Sequence, residues 1–152
     1  MKKTYILLTL LAVALATGLL FVSCDTESKP ESKSSGPDSA LNGTWVNEGG
    51  GIVKFDNGNF QFESSDGTPM DKGTYTTSGS TLTMTITHVW GESCYVGGTE
   101  PVGGPEWYTK ADLKATGFTD EDLNTIFVTR SITYSVSGNT LTFGDMILTK
   151  QQ

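Results

Sequence analysis

Few side chains in this sequence could carry out chemistry. His88 is the only histidine, and Cys94 lies shortly after it, an arrangement that could supply a Cys-His nucleophile if a third group oriented the pair. The surrounding residues offer no clear third group. One His, one Cys and dispersed carboxylates also lack the paired ligand spacing of a zinc site. Asp120-Glu121-Asp122 has neither the alternating carboxylates nor the turn glycine of a calcium loop, and reads instead as the acidic start of a helix. Glu63, Asp66 and Asp71 flank a loop with no shared pocket that would make them a glycosidase pair, and are expected to be solvated. The chain is therefore expected to be no enzyme and to hold no metal or cofactor.

Binding is the better prospect. Trp90, Tyr95, Trp107 and Tyr108 fall close together, and Trp and Tyr combine large contact area with a polar tip. His88 shares the phase of Leu82, Met84 and Ile86 near the end of the same run, which directs it to the apolar side. These five residues are the candidates for contacting a small, largely apolar ligand. The alternatives are a protein or glycan partner on the same side chains, or a plug that fills the fold with no site.

Length and charge limit the remaining options. The 152 residues suffice for one domain, and the formal net charge of -7 with no Lys or Arg cluster argues against a nucleic-acid partner. Lys2 and Lys3 precede an apolar stretch from Tyr5 to Val22, the pattern of an export leader, with a transmembrane anchor as the competing reading. Val22-Ser23-Cys24 resembles the lipobox of bacterial lipoprotein signals. That resemblance implies cleavage before Cys24, acylation of its sulfur and new amino group, and a location on a membrane of the bacterial cell envelope. Several acyl chains at about 0.8 kcal/mol per buried methylene would anchor it stably. Cys94 would then be the only free thiol, so no internal disulfide is expected. Residues 24–40 follow as a tether, whose residues 25–40 are rich in Ser, Pro and charge and without apolar side chains larger than Ala40. As a flexible coil it would span roughly 20 to 24 Å.

Residues 41–152 must position the candidate site. Short alternating runs separated by Gly, Asn, Asp and Ser are the pattern of an antiparallel meander. In Thr81–Val89, apolar residues alternate with Thr, giving one apolar and one hydroxyl-bearing face. The other runs are Thr44–Asn47, Ile52–Phe55, Asn59–Glu63, Gly73–Thr77, Ile132–Val136, Thr140–Phe143 and Met146–Thr149. Asn57-Gly58 is the strongest hairpin signal among the turns. About eight strands would close into an up-and-down β-barrel without exposed edges, with a two-sheet sandwich as the alternative. Residues 74–84 (TYTTSGSTLTM) and 133–143 (TYSVSGNTLTF) repeat one hairpin pattern. Between the fifth and sixth strands lies an insert, with a Gly-rich loop from Gly91 to Pro105 and two short helices. Thr109 with Asp112, and Thr119 with Asp122, match the capping-box spacing. Leu113, Phe118, Leu123, Ile126 and Phe127 would form the buried side of these helices, against the mouth or flank of the sheet.

Gly43-Thr44-Trp45 resembles the Gly-x-Trp signature that opens lipocalins and related calycin barrels. The texture of Gly73–Thr83 and the Trp107–Leu113 run are similar to small lipocalin-like domains of bacterial surface lipoproteins. The resemblance covers 41–152 and implies a lipocalin-like barrel with Trp45 buried at its closed end and a cation, Lys150 or Arg130, beside the ring.

Overall fold

The computed structural model describes residues 36–96 and 101–152. The expected leader 1–23, Cys24 and the tether as far as residue 35 lie outside the described residues. Among the described residues, no helix is long and apolar enough to cross a membrane.

The strands are β1 (Gly43–Asn47), β2 (Ile52–Asp56), β3 (Asn59–Glu63), β4 (Pro69–Ser78), β5 (Thr81–Trp90), β6 (Trp107–Thr109), β7 (Thr129–Ser137), β8 (Thr140–Phe143) and β9 (Met146–Lys150). Every pairing is antiparallel, and β1 pairs β9, closing eight of the strands into an up-and-down barrel. The sandwich alternative is thereby excluded. The ninth strand, β6, belongs to the insert and was not evident from the sequence pattern. It pairs with β5 at His88, Val89 and Trp90, beyond the point where β7 has left that strand at Thr85. A three-residue strand of this kind has no periodicity to display; an open ladder edge on β5 forms it.

Hairpin chemistry sets the two ends apart. At one end lie the turns at Asn57-Gly58, Gly79-Ser80 and Gly138-Asn139. Asn57 (φ 43°) and Gly58 (φ 89°) both take positive φ, as a type I′ turn requires. The repeated hairpins differ, with positive φ only at Gly79 and Gly138, the first central residue, as in type II′ turns. The repeat also places Tyr75 and Tyr134, Leu82 and Leu141, and Met84 and Phe143 in the same core.

This end is sealed by residues expected to belong to the tether. Gly36 pairs with Thr77, and Asp38 accepts from the Tyr134 hydroxyl at 2.9 Å while capping the 3₁₀ turn Ser39–Leu41 through Ala40 N–H. The seated chain thus includes Gly36–Ala40, ahead of Leu41. Backbone pairing and one half-buried carboxylate contact hold it there, where composition alone suggested free coil. Leu41 is fully buried, and its carbonyl accepts from Trp45 Nε1 at 2.6 Å. Trp45 is buried as expected, and Lys150, its register partner on β9, places Nζ 5.0 Å from the ring centroid. Gly43 permits this approach: a Cβ there would stand 2.7 Å from Lys150 Cε.

The insert forms the second core cluster. Helix α1 (Lys110–Ala115) and helix α2 (Asp120–Ile126) begin with capping boxes at Thr109/Asp112 and Thr119/Asp122, as the spacing predicts. Leu113 and Leu123 are fully buried beside Val89, and Phe118, Ile126 and Phe127 pack on them. Ile86 touches both clusters, so the insert is fixed to the barrel through β5.

Candidate functional site

The end opposite the Gly36–Leu41 seal is open. Strand β4 begins there at Pro69, β7 begins there at Thr129, and the β8–β9 turn and the insert surround the opening. A cavity of about 490 Å³ enters the barrel between them. Its walls are Phe60, Phe62, Met84, Ile86, Ile132 and Phe143 from the strands, with Thr125, Ile126 and Val128 from the end of the second helix. Met70, Tyr95 and Met146 stand at the rim and are three of the four large apolar side chains exposed on the described surface. The barrel is therefore filled at one end and hollow at the other.

Two β-bulges determine which side chains reach the cavity. On β5, Ile86 pairs with Gly73 but His88 pairs with Lys72, so Thr87 is an extra residue and the alternation reverses. Val89 turns inward while His88 and Trp90 turn outward. This corrects the expectation that His88 shares the inner face of Leu82, Met84 and Ile86. The bulge forms where β4 and β5 approach so closely that a Cβ on Gly73 would fall 1.9 Å from the Thr85 carbonyl oxygen. The second bulge is on β4, where Lys72 pairs Gln61 and Pro69 pairs Glu63.

Asp71 lies in this second bulge and shares the inward phase of Gly73, Tyr75 and Thr77. The expectation that Glu63, Asp66 and Asp71 are all solvated holds only for Asp66, which caps its own turn through Ser64 and Thr68 and is held at about 2 by those hydrogen bonds. Glu63 is buried on the outer face against Lys54 (2.5 Å) and Gln61 (2.7 Å). Asp71 borders the cavity, and its Oδ1 is buried without a hydrogen-bond partner among the described residues. Burial raises its carboxyl to about 6, opposed by the positive field of Arg130. Arg130 also borders the cavity, from β7, and forms no ion pair with Asp71. Sequence phase could have placed Asp71 inside had β4 been extended back to Pro69, but Pro69 and the bulge conceal the alternation.

The five sequence candidates separate. Tyr95 alone borders the cavity. His88 borders a shallow outer groove of about 420 Å³ with Lys54, Gln61 and Lys72, and its Nδ1 is 2.9 Å from the Thr87 hydroxyl. Desolvation, then the nearby Lys72 charge, lowers its pKa. Trp90 and Trp107 are register partners on the outer face, with edge-to-face rings 5.3 Å apart and Lys72 Nζ 4.2 Å from the Trp107 centroid. Tyr108 faces the insert's own cluster, and its ring lies so close to Gly91 and Gly103 that a Cβ on either would clash with it. Its hydroxyl donates to Glu106 at 2.7 Å. The close approach of the ring to Gly91 and Gly103 explains part of the loop's glycine content, and it makes Tyr108 a packing residue.

Cys94 is half-buried at the cavity, and burial, with Asp71 adding to it, raises its thiol pKa. A raised thiol pKa disfavours the nucleophilic thiolate. No three His, Cys, Asp or Glu side chains converge as metal ligands among the described residues.

The architecture is that of a closed eight-stranded antiparallel barrel with one sealed end, one open end and a helical insert at the opening. Comparison with family models, curated proteins and solved structures returned no match for this chain.

Proposed function

We infer that the protein is a membrane-anchored lipoprotein whose lipocalin-like barrel binds a small, largely apolar ligand at its open end. One observation carries this reading: an apolar cavity of about 490 Å³ opens through a rim of exposed Met70, Tyr95 and Met146. Small-molecule sites occupy roughly 300–1,000 Å³ and are mostly apolar with few polar groups. Exposed Met and Tyr cost little at an entrance where a ligand covers them, and Met adapts to irregular shapes. The anchor rests on the Val22-Ser23-Cys24 pattern, and the reading assigns no catalytic step to the protein. Titration of the full chain in lipid nanodiscs with the neutral dye N-phenyl-1-naphthylamine tests the binding function, with empty nanodiscs as blank. Saturable one-to-one enhancement is expected. Fluorescence that only tracks the lipid content would refute it.

A second reading concerns the outer face. Trp107 carries a cation on its ring, and the buried Trp90 Nε1 has no acceptor among the described residues, beside a groove of Lys, Gln and His side chains. These groups suit a glycan or protein partner. Loss of binding to a glycan panel on Trp107→Ala would support it, and an unchanged profile would count against it.

A further inference from the structure

The cavity lining is mostly apolar, and among its polar side chains, Asp71, Ser93, Thr125 and Arg130, only Asp71 has a buried atom whose lack of a partner packing does not explain. Asp71 sits in its wall with Oδ1 buried and unpartnered, while every other buried side-chain polar atom among the described residues except Trp90 Nε1 has a partner. A buried acceptor with no donor costs about 1–3 kcal/mol, more if charged, so such a group persists where something offsets it or where function requires it. We propose that the ligand of this cavity carries a protonated amine on an apolar body, with Asp71 as its counter-charge. This rests on the reading that the cavity is a ligand site, and it names the ligand's class.

The chemistry separates an amine from the obvious rival, a fatty-acid carboxylate. A carboxylate headgroup would have to approach Asp71, a like charge in apolar surroundings, where repulsion is least screened. Arg130 could receive it, but the guanidinium is exposed and a contact there is weakened by solvent. An ammonium, by contrast, supplies three donors and a positive charge to the one atom that lacks a partner. The groups facing Asp71 are Arg130 from β7 and Cys94 from the insert, and a neutral thiol leaves Arg130 as the only charge among them. Ionised Asp71 is the form that binds a cation. With its carboxyl at about 6, amine affinity rises as pH increases through that value, whereas carboxylate affinity falls.

The test uses decylamine, decanoate and decanol, matched in chain length, titrated calorimetrically into the full chain in nanodiscs. Empty nanodiscs provide the lipid blank, and Asp71→Asn and Arg130→Gln are run in parallel. The proposal expects decylamine to bind at least about tenfold more tightly than decanol near pH 7, a difference of about 1.4 kcal/mol. Asp71→Asn should abolish that preference, and Arg130→Gln should not abolish it. Equal binding of all three probes, or a preference that survives Asp71→Asn, overturns the amine assignment and leaves the cavity reading standing. Preference for decanoate that disappears in Arg130→Gln assigns the site to an anion and also overturns it. Binding of none of the three above the lipid blank removes both readings together. Thermal melts of each variant establish that it is folded.

Discussion

Asp71 is the most informative position in this protein, because its effect on stability can be worked out before any ligand is known. Its carboxyl is raised from 3.8 to about 6 by burial, with Arg130 opposing. Between those values the folded state holds a proton that the unfolded state has lost, so stability falls as pH rises. The contribution is complete below 3.8 and gone once pH has passed through about 6. At about 1.4 kcal/mol per tenfold change in proton affinity, the ceiling is about 3 kcal/mol. The side chain is partly exposed at the open end, and solvent screening reduces this to about 1–2 kcal/mol. Asp71→Asn removes the charge and keeps the shape. At neutral pH it should raise stability by that amount, a Tm gain of about 4–8 °C for a domain of this size. Thermal unfolding of both full-length proteins, followed by circular dichroism from about pH 4 to about pH 7, measures it. The two should coincide near pH 4 and diverge through the window. Asp66, Asp112 and Asp120, whose pKa values are lowered, are common to both proteins and cancel in the difference. Parallel curves, or an Asn variant less stable at pH 7, would refute the account of Asp71 as a desolvated, unpartnered carboxylate.

Five further substitutions test the scaffold. Trp45→Ala should cost about 3–5 kcal/mol in denaturant unfolding, since it empties a fully buried site and releases the Leu41 carbonyl. Lys150→Met should cost only about 0.5–2 kcal/mol by the same assay, through loss of the ring contact. Gly73→Ala should destabilise by at least about 1–3 kcal/mol, because its methyl meets the Thr85 carbonyl at 1.9 Å; unchanged stability would mean that β4 and β5 separate easily. Thr109→Ala and Thr119→Ala should each cost about 1 kcal/mol and raise amide exchange in the insert before the barrel.

The barrel was legible in the sequence because each of its strands carries its own signal. Alternation in Thr81–Ile86 and the Asn57-Gly58 turn fix side-chain phase and register locally, and the two Thr-x-x-Asp boxes start both helices where expected. The site was much less legible. Its geometry depends on two single-residue bulges, at Thr87 and in Pro69–Lys72, and a bulge shows only in the partner strand's register. One extra residue at Thr87 turned His88 and Trp90 outward, and the other hid the alternation that carries Asp71 inward. Proximity in sequence suggested one aromatic cluster, but β6 set Trp107 against Trp90 outside while Tyr108 closed the insert. The seal at Gly36–Leu41 leaves no mark in the sequence because its contacts, to Thr77 and Tyr134, are distant in the chain and its composition resembles coil.

The claim on which the functional account depends is that a ligand enters the open end of the barrel. Methyl-resolved NMR of the full-length protein in nanodiscs, with the Ile and Met methyls labelled, tests it most directly when decylamine is added. The account predicts shifts that saturate at one ligand per protein for Met84, Ile86 and Ile132, which wall the cavity, with Ile52 and Ile147 unmoved. Shifts that leave those three methyls untouched, or that grow without saturation as lipid takes up the amine, would contradict it.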